Sequence, residues 1–164
     1  MKRNILFILV LISAILSADG LDMKKFKGMK ARSIGPSGMS GRVTAIDVVL
    51  SNTDVIYVGT ASGGLWKSER GGINWEPMFD DQKAASIGDV TVDPTNPDVI
   101  WVGTGEGNPR NSQSAGFGVY KSIDGGKSWD FKGLGETRNI HRVLINPHNP
   151  DEVYVGAQGP AWGE

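Results

Sequence analysis

The chain has 164 residues, a formal net charge of −1 and 39% apolar residues. This near-neutral balance shows no charge excess of the kind that indicates nucleic acid or an acidic membrane surface as a partner, and we expect neither. The sequence contains no cysteine, which excludes disulfide bonds, thiolate metal sites and a cysteine nucleophile. Its 23 glycines and 8 prolines alternate with Val/Ile-rich runs, which is typical of a fold with frequent tight turns.

The first twenty residues predict a secretory signal peptide. A positively charged start at residues 1–4 precedes an apolar run from Ile5 to Leu16, and small or polar residues follow as far as Gly20. This order is that of a signal peptide, and the run is shorter than the roughly twenty residues of a membrane span. The alternative is an uncleaved N-terminal anchor. We expect the mature protein to be secreted, periplasmic or on the cell surface, with no membrane contact beyond the signal peptide.

Residues 21–41 are a basic lead-in that becomes rich in Gly and Pro, and we assign it no partner. After it, Val/Ile-rich runs alternate with Asp/Asn/Pro/Gly clusters, which predicts short β-strands and turns. The strands predicted for a first unit, 42–82, are Val43–Leu50, Val55–Ala61, Gly64–Ser68 and Ile73–Phe79. Those predicted for a second unit, 83–135, are Ile87–Val92, Val99–Gly103, Gly118–Ser122 and Ser128–Lys132. A partial third unit, 136–164, contributes Ile140–Ile145 and Glu152–Gly156.

The units repeat one sequence. Val-Ile-Tyr-Val-Gly-Thr at 55–60 returns as Val-Ile-Trp-Val-Gly-Thr at 99–104, and Val-Tyr-Val-Gly at 153–156 begins a third copy. Because one unit cannot bury its own apolar face, such a repeat predicts a stacked array. Four strands in about 45 residues is the size of a β-propeller blade. The prediction is therefore an all-β fold, a β-propeller of four-stranded blades with about two and a half blades present.

A turn signature supports this fold. The segment 122–129 fits the pattern Ser-x-Asp-x-Gly-x-[Ser/Thr]-Trp, which is the Asp-box or bacterial neuraminidase (BNR) repeat, beginning at Ser122. Asp124 can accept hydrogen bonds from backbone donors across the turn, and Gly126 permits a positive φ. We expect Trp129 to pack the returning strand against its neighbour.

A degenerate copy of the box lies in the first unit. It keeps Ser68, Gly72 and Trp75, while Arg70 stands where the box has Asp. With these two copies and the repeated strands, the chain from Gly35 onward resembles the Asp-box propellers of the sortilin-like group. Related branches include BNR-repeat glycosyl hydrolases, two-propeller xyloglucanases and a photosystem assembly factor. The resemblance implies the propeller fold and does not imply one activity.

The resemblance also provides a test for catalysis. Xyloglucanases of this group cleave with two acidic residues, as glycoside hydrolysis generally requires, and the first lies in a Thr-Asp-x-Gly-Gly motif after the second strand of an early blade. The matching stretch here is 60–64, in which Ala61 occupies the position of the acid. Because alanine cannot transfer a proton, no catalytic residue is assigned, and Glu106 is the only local candidate.

An insertion in the second unit is the best candidate for a binding site. Gly59 and Ser68 are 9 positions apart, whereas Gly103 and Ser122 are 19 apart, which places a longer loop within 106–118. Long loops on a rigid scaffold often carry function. The repeat aligns Arg42, Ser86 and Asn139 at one position where a first strand begins, on the same face as the loop. The candidate ligand-binding residues are Arg42, Glu106, Asn108, Arg110, Asn111 and His141.

No cofactor or metal site is predicted. Residues 103–109 superficially resemble a phosphate loop, but no helix follows them, as that motif requires. His141 and His148 have no acidic partner at ligand spacing.

Two functions remain open. The first is an extracellular binding propeller that recognises a peptide or a carbohydrate on its loop face, and the second is a glycoside hydrolase whose acids lie largely outside this sequence. The absence of an acid at Ala61 favours binding. Because a propeller closes with four or more blades, we expect this sequence to be an N-terminal fragment, with the remaining blades beyond residue 164.

Overall fold

A computed structural model describes residues 24, 27–28, 42–108 and 113–159. The chain divides into two compact units, Met1–Ser33 and Ile34–Glu164. The predicted signal peptide and almost all of the lead-in lie outside the described residues. Within the described ranges there is no α-helix, and thus none there that is long and apolar enough to cross a membrane.

The described part of the second unit forms three antiparallel sheets. The first sheet has the strand order β1-β2-β3-β4, the second has the order β5-β6-β7-β8, and the third pairs β9 with β10. The strands are β1 Val43–Val48, β2 Ile56–Thr60, β3 Leu65–Ser68, β4 Glu76–Pro77, β5 Ile87–Val92, β6 Ile100–Thr104, β7 Val119–Ser122, β8 Asp130–Phe131, β9 Asn139–Ile145 and β10 Val153–Gln158. Two four-stranded blades and the inner half of a third are therefore present, which confirms the predicted all-β propeller architecture.

The three inner strands share one register. Their equivalent pairs with the second strands are Val43–Thr60, Ile87–Thr104 and Ile140–Ala157. A bulge follows each pair, so that one residue of the inner strand is left without a partner. These three residues are Thr44, Gly88 and His141. The register also makes Arg42, Ser86 and Asn139 equivalent, as the sequence repeat predicts.

The outermost strands are much shorter than predicted. The sequence predicts strands at Ile73–Phe79 and Ser128–Lys132, but β4 and β8 contain only two residues each. One further backbone hydrogen bond follows each of them, from Met78 to Leu65 (2.9 Å) and from Lys132 to Val119 (2.8 Å). The reason is local, since the preceding turn uses these residues for its own hydrogen bonds. The Ser128 N–H donates to Asp124 Oδ1 (2.9 Å) rather than to a neighbouring strand, and Ile73 is 85% exposed in the other turn. The other predicted strands differ by at most two residues at either end.

The apolar core lies between blades rather than within one. The larger cluster combines Tyr57 and Leu65 of the first blade with Ile87 and Ile100 of the second. A smaller cluster joins Val119 of the second blade to two residues of β9, Ile140 and Val143. Each sheet thus buries its apolar face only against the next one, as expected for a repeat array.

Side-chain hydrogen bonds also connect the inner strands of successive blades. The Val92 N–H donates to Asp47 Oδ2 (2.8 Å) across the first junction, and the Val143 N–H donates to Asp89 Oδ2 (2.7 Å) across the second. Asp89 is 8% exposed, and burial raises the pKa of its carboxyl group above the ordinary value. These hydrogen bonds hold the inner strands β1, β5 and β9 side by side, so that their first residues lie at the same end of the blades.

Candidate functional site

The Ser122–Trp129 turn is held by its own side chains. Ser122 Oγ donates to Asp124 Oδ1 (2.8 Å) and accepts from the Gly126 N–H (2.9 Å). Asp124 also accepts from the hydroxyl and the N–H of Ser128. These hydrogen bonds, those from Ser128 above all, lower the pKa of Asp124 to about 2. Gly126 has a φ of 92°, so the turn has the geometry expected from its sequence.

Trp129 contacts the preceding blade. Its indole Nε1–H donates to the carbonyl oxygen of Met78 (2.7 Å), and its ring lies edge-on to Phe79 with 5.1 Å between centroids. Met78 and Phe79 directly follow β4 of the first blade. The neighbour that Trp129 packs against is therefore another sheet, and the turn contributes to joining the blades.

The degenerate turn keeps the same geometry without a carboxylate. Ser68 Oγ accepts from the N–H groups of Arg70 (3.2 Å) and Gly72 (2.8 Å). Gly72 has a φ of 88°, Arg70 is exposed and Trp75 is half-buried. Both turns have a structural role, and both lie at the end of the blades opposite to the β2–β3 and β6–β7 connections, because the strands alternate in direction.

The β6–β7 loop lies at that other end and is anchored by Glu106. The Glu106 side chain is 2% exposed, and its carboxylate forms an ion pair with the guanidinium of Arg42, which is 38% exposed. The Glu106 N–H donates to Ser86 Oγ (3.0 Å). Its carbonyl oxygen accepts from Gln113 Nε2 (2.8 Å) and from the Asn139 side-chain amide (3.2 Å), when the amide nitrogen faces the loop.

Of the other predicted ligand-binding residues, two are exposed near the base of the loop and two lie outside the described residues. Asn108 is exposed, and its carbonyl oxygen accepts from Gln113 Nε2 (3.2 Å). His141 is exposed and its side chain packs directly on Gly107, where an added Cβ would overlap the imidazole. Arg110 and Asn111 lie outside the described residues. The structure thus brings Arg42, Glu106 and His141 together around the base of the loop.

Three residues that hold the loop were left out of the predicted ligand set. Ser86, Gln113 and Asn139 all bond to Glu106. The sequence does indicate two of them as neighbours of the loop, because the repeat aligns Ser86 and Asn139 with Arg42. Gln113 had a different signal, because it lies within the 106–118 insertion, but its contact with Glu106 depends on how the loop folds back.

The position that carries an acid in xyloglucanases is closed here. Ala61 is 3% exposed, and its N–H donates to the Arg42 carbonyl oxygen (2.9 Å). A tight turn follows, in which Thr60 Oγ1 donates to the Gly64 carbonyl oxygen (2.9 Å) and accepts from the Gly63 N–H (2.8 Å). This blade therefore presents no proton donor at that position.

No metal centre is found in the part of the chain that the structure describes, where no group of three or more His, Asp or Glu side chains could hold an ion. The loop face carries instead a half-exposed guanidinium, an imidazole and an amide. Such groups can donate hydrogen bonds to hydroxyl, carbonyl or carboxylate oxygens of a ligand.

Fold and site together define a class, an incomplete β-propeller with one long loop anchored where its inner strands begin. Solved structures agree with this class. The chain is similar to the crystal structure of a GH74 enzyme from Niastella koreensis, with a TM-score of 0.53 and 23% identity, covering 72% of this chain and 17% of that chain. It is also similar to an ancestral GH74 enzyme, with a TM-score of 0.58 and 28% identity, covering 70% of this chain and 16% of that chain.

A third match is YCF48 from Cyanidioschyzon merolae, with a TM-score of 0.44 and 17% identity, covering 66% of this chain and 32% of that chain. No protein-family model matches the sequence, and no curated protein matches it. The chain spans about a sixth of the length of the two GH74 enzymes. The comparisons therefore relate this fold to the propellers of glycoside-hydrolase-like proteins at low identity.

Proposed function

We propose that this chain belongs to a secreted, sortilin-like Asp-box (BNR-repeat) β-propeller that binds a carbohydrate on the face of its β6–β7 loop. The observation that carries the proposal is the loop itself, which is fixed at its base by Glu106, with Asn108 and His141 exposed and Arg42 38% exposed. A rigid scaffold with exposed polar groups on a long loop suits ligand recognition. The bonding around Ser122 and Asp124 supports the Asp-box assignment.

Similarity to the GH74 propellers favours a carbohydrate over a peptide as the ligand. Binding without turnover is favoured because neither of the two candidate positions for a catalytic acid offers an accessible carboxylate. Ala61 has no carboxylate, and the Glu106 carboxylate is buried against Arg42. A general acid must reach the leaving group to give it a proton, and the Glu106 side chain is only 2% exposed in its ion pair with Arg42.

The alternative is a glycoside hydrolase related to xyloglucanases, whose catalytic acids lie largely outside this sequence. The 28% identity to an ancestral GH74 enzyme favours this alternative. It requires two carboxylates across a scissile bond. Besides the buried Glu106, the described acids in the connections at this end of the blades are Asp80, Asp81 and Glu136, all exposed.

The test is calorimetric titration of the full chain with xyloglucan oligosaccharides and with unsubstituted β-glucan oligosaccharides, together with a reducing-sugar assay. We expect saturable binding without sugar release, weakened about tenfold by His141→Ala, which corresponds to about 1.4 kcal/mol. His148→Ala is the matched control, because His148 is exposed in the β9–β10 turn at the opposite end of the strand. Release of reducing sugar would establish the hydrolase, and the absence of binding to any oligosaccharide would refute the carbohydrate proposal.

A further inference from the structure

One residue of the loop is held by three successive blades. The repeat places three residues at one equivalent position of the inner strands. They are Arg42, Ser86 and Asn139, and they directly precede the equivalent residues Val43, Ile87 and Ile140. Each bonds to a different group of Glu106: Arg42 to its carboxylate, Ser86 to its N–H, and Asn139, with its amide nitrogen facing the loop, to its carbonyl oxygen. The repeat thus supplies three different side chains at one position, and all three meet at a residue that the first blade lacks.

We propose that Glu106 is the positioning residue of the β6–β7 loop, and that Arg42 acts on ligand recognition through Glu106. This inference deepens the proposed function, because the loop that Glu106 positions is the proposed binding element. It assigns direct ligand contact to Asn108 and His141, whose side chains are exposed, rather than to Glu106.

Burial supports a positioning role for the ion pair. The Glu106 carboxylate is 2% exposed, so a ligand cannot reach it while the loop keeps this position. A buried carboxylate that loses its cationic partner is left uncompensated, which costs more than the pair contributes as a whole. Replacing Arg42 should therefore release the loop rather than leave the Glu106 carboxylate buried without a partner, whereas replacing Glu106 removes the ion-pair contact itself.

Backbone contacts at both ends of the β6–β7 loop restrict the conformations that the loop can adopt. Gly105 has a φ of 92°, and a Cβ there would overlap the Arg138 carbonyl oxygen. At the returning end, the Gly116 N–H donates to that same carbonyl oxygen (2.7 Å), and the Phe117 N–H donates to Thr104 Oγ1 (2.7 Å). The two ends of the loop are therefore fixed against β6 and the start of β9, and Glu106 fixes the side that faces the first blade.

The test is amide hydrogen exchange measured by mass spectrometry on the full chain, with no ligand present. We expect Glu106→Gln and Arg42→Met each to increase exchange about tenfold or more in peptides that cover 105–108 and 113–118. Exchange in the β7–β8 hairpin, 119–131, should not change. Glu136→Gln is the matched control, because Glu136 is exposed and should alter neither segment.

Coupling between the two residues gives a second readout. If Arg42 acts through Glu106, the double variant Arg42→Met/Glu106→Gln should show no more loop exchange than the worse single variant, because the pair is removed as a unit. Arg42→Lys, which keeps the charge, should retain part of the protection and also serves if Arg42→Met does not fold. Unchanged loop exchange in Glu106→Gln, or an equal increase in all three blades, would overturn the inference.

Titration of the same variants with oligosaccharide separates the two proposals. Weaker oligosaccharide binding in Glu106→Gln, in step with faster loop exchange, is expected if both hold. If the unsubstituted chain binds no oligosaccharide but Glu106→Gln still speeds loop exchange, the positioning role of Glu106 stands and the proposed carbohydrate binding is refuted. Faster loop exchange with unchanged oligosaccharide affinity would refute the link between the two.

Discussion

The indole nitrogen of Trp129 donates a hydrogen bond to the carbonyl oxygen of Met78, with 2.7 Å between the two atoms. The donor follows the β7–β8 turn of the second blade, and the acceptor follows β4 of the first. In the sequence, Trp129 is the last residue of a local turn signature. In the fold it is a contact between two sheets, so part of what the turn stabilises is the junction between blades.

Replacing Trp129 tests this junction. Trp129→Phe keeps a ring that can pack on Phe79 but leaves the Met78 carbonyl oxygen without its donor, and we expect a loss of about 1–2 kcal/mol in the free energy of unfolding, measured by urea denaturation. Trp75→Phe is the matched control, because the Trp75 indole donates no hydrogen bond to the described part of the chain. Equal losses in the two variants would contradict the role of the cross-blade bond.

The carboxylate of the same turn should make stability depend on pH. Folding lowers the pKa of Asp124 from 3.8 to about 2, so its contribution is complete above about pH 4 and is lost as the pH falls towards 2. Asp124→Asn should therefore be less stable than the unsubstituted chain at pH 6, and the difference should vanish near pH 2. Thermal unfolding across this range measures it.

The control for this pH profile is Asp130→Asn. Asp130 lies in the next strand and its carboxylate accepts only from Lys132 (3.3 Å) in an exposed pair, which contributes little. The same pH-dependent difference in both variants would show that general charge, rather than the bonding of the turn, is responsible.

Much of the fold could be predicted because the repeat is carried by residues with a fixed geometric role. Val-Gly-Thr places the second strand and the Ser of each turn ends the third, so the strand pairs and the equivalence of Arg42, Ser86 and Asn139 follow from alignment alone. The fourth strands were predicted too long, because apolar residues such as Ile73 suggested pairing. Its 85% exposure shows that the turn bonds around Ser68 outweigh the strand propensity of that residue.

The candidate site was less predictable. The sequence indicated the loop and its neighbours on the same face, and it offered Glu106 both as the only local candidate acid and as a ligand-binding candidate. Only the fold shows that three blades meet at this residue, because contacts between Glu106 and Arg42 or Asn139 span three repeats. Interactions that depend on the angle between blades leave no trace in a single unit of the repeat.

A glycine at the second junction provides a steric test. A Cβ at Gly88 would overlap the carbonyl oxygens of Ile140 and Gly105, and backbone atoms cannot move aside as a flexible side chain would. The equivalent Thr44 is tolerated at the first junction, where its hydroxyl donates to the Ile87 carbonyl oxygen (2.6 Å). We expect Gly88→Ala to lower the free energy of unfolding by about 3 kcal/mol, as measured by urea denaturation.

Gly159→Ala serves as the control for that measurement. Apart from the two residues next to it in the chain, nothing lies within 4 Å of a Cβ added at position 159, so the substitution should change stability by less than about 0.5 kcal/mol. A loss at Gly88 as small as that at Gly159 would mean that the blades separate more easily than their contacts indicate.

The two outer faces of the stack provide the last prediction. Tyr57 and Tyr154 are equivalent in register, opposite Asp47 and Leu144 respectively. Tyr57 is 1% exposed beneath the second blade, where its hydroxyl donates to the Gly125 carbonyl oxygen (3.1 Å), whereas Tyr154 is 62% exposed. On the opposite face of the stack, Ile46 is 65% exposed, although its equivalent Val90 is 3% exposed.

The Tyr154 face is equivalent to the face of the first blade that contacts the second, and the Ile46 face is equivalent to the face of the second blade that contacts the first. Copies of the chain should therefore associate head to tail. Sedimentation velocity should show open-ended association of the full chain, and Ile46→Lys or Tyr154→Lys alone should abolish it, because each blocks one of the two faces. An equimolar mixture of the two variants should stop at dimers, since each molecule retains one usable face and those two faces match. Persistent association of both single variants would show that a different surface is responsible, and a mixture that stays monomeric would show that the outer faces do not fit each other.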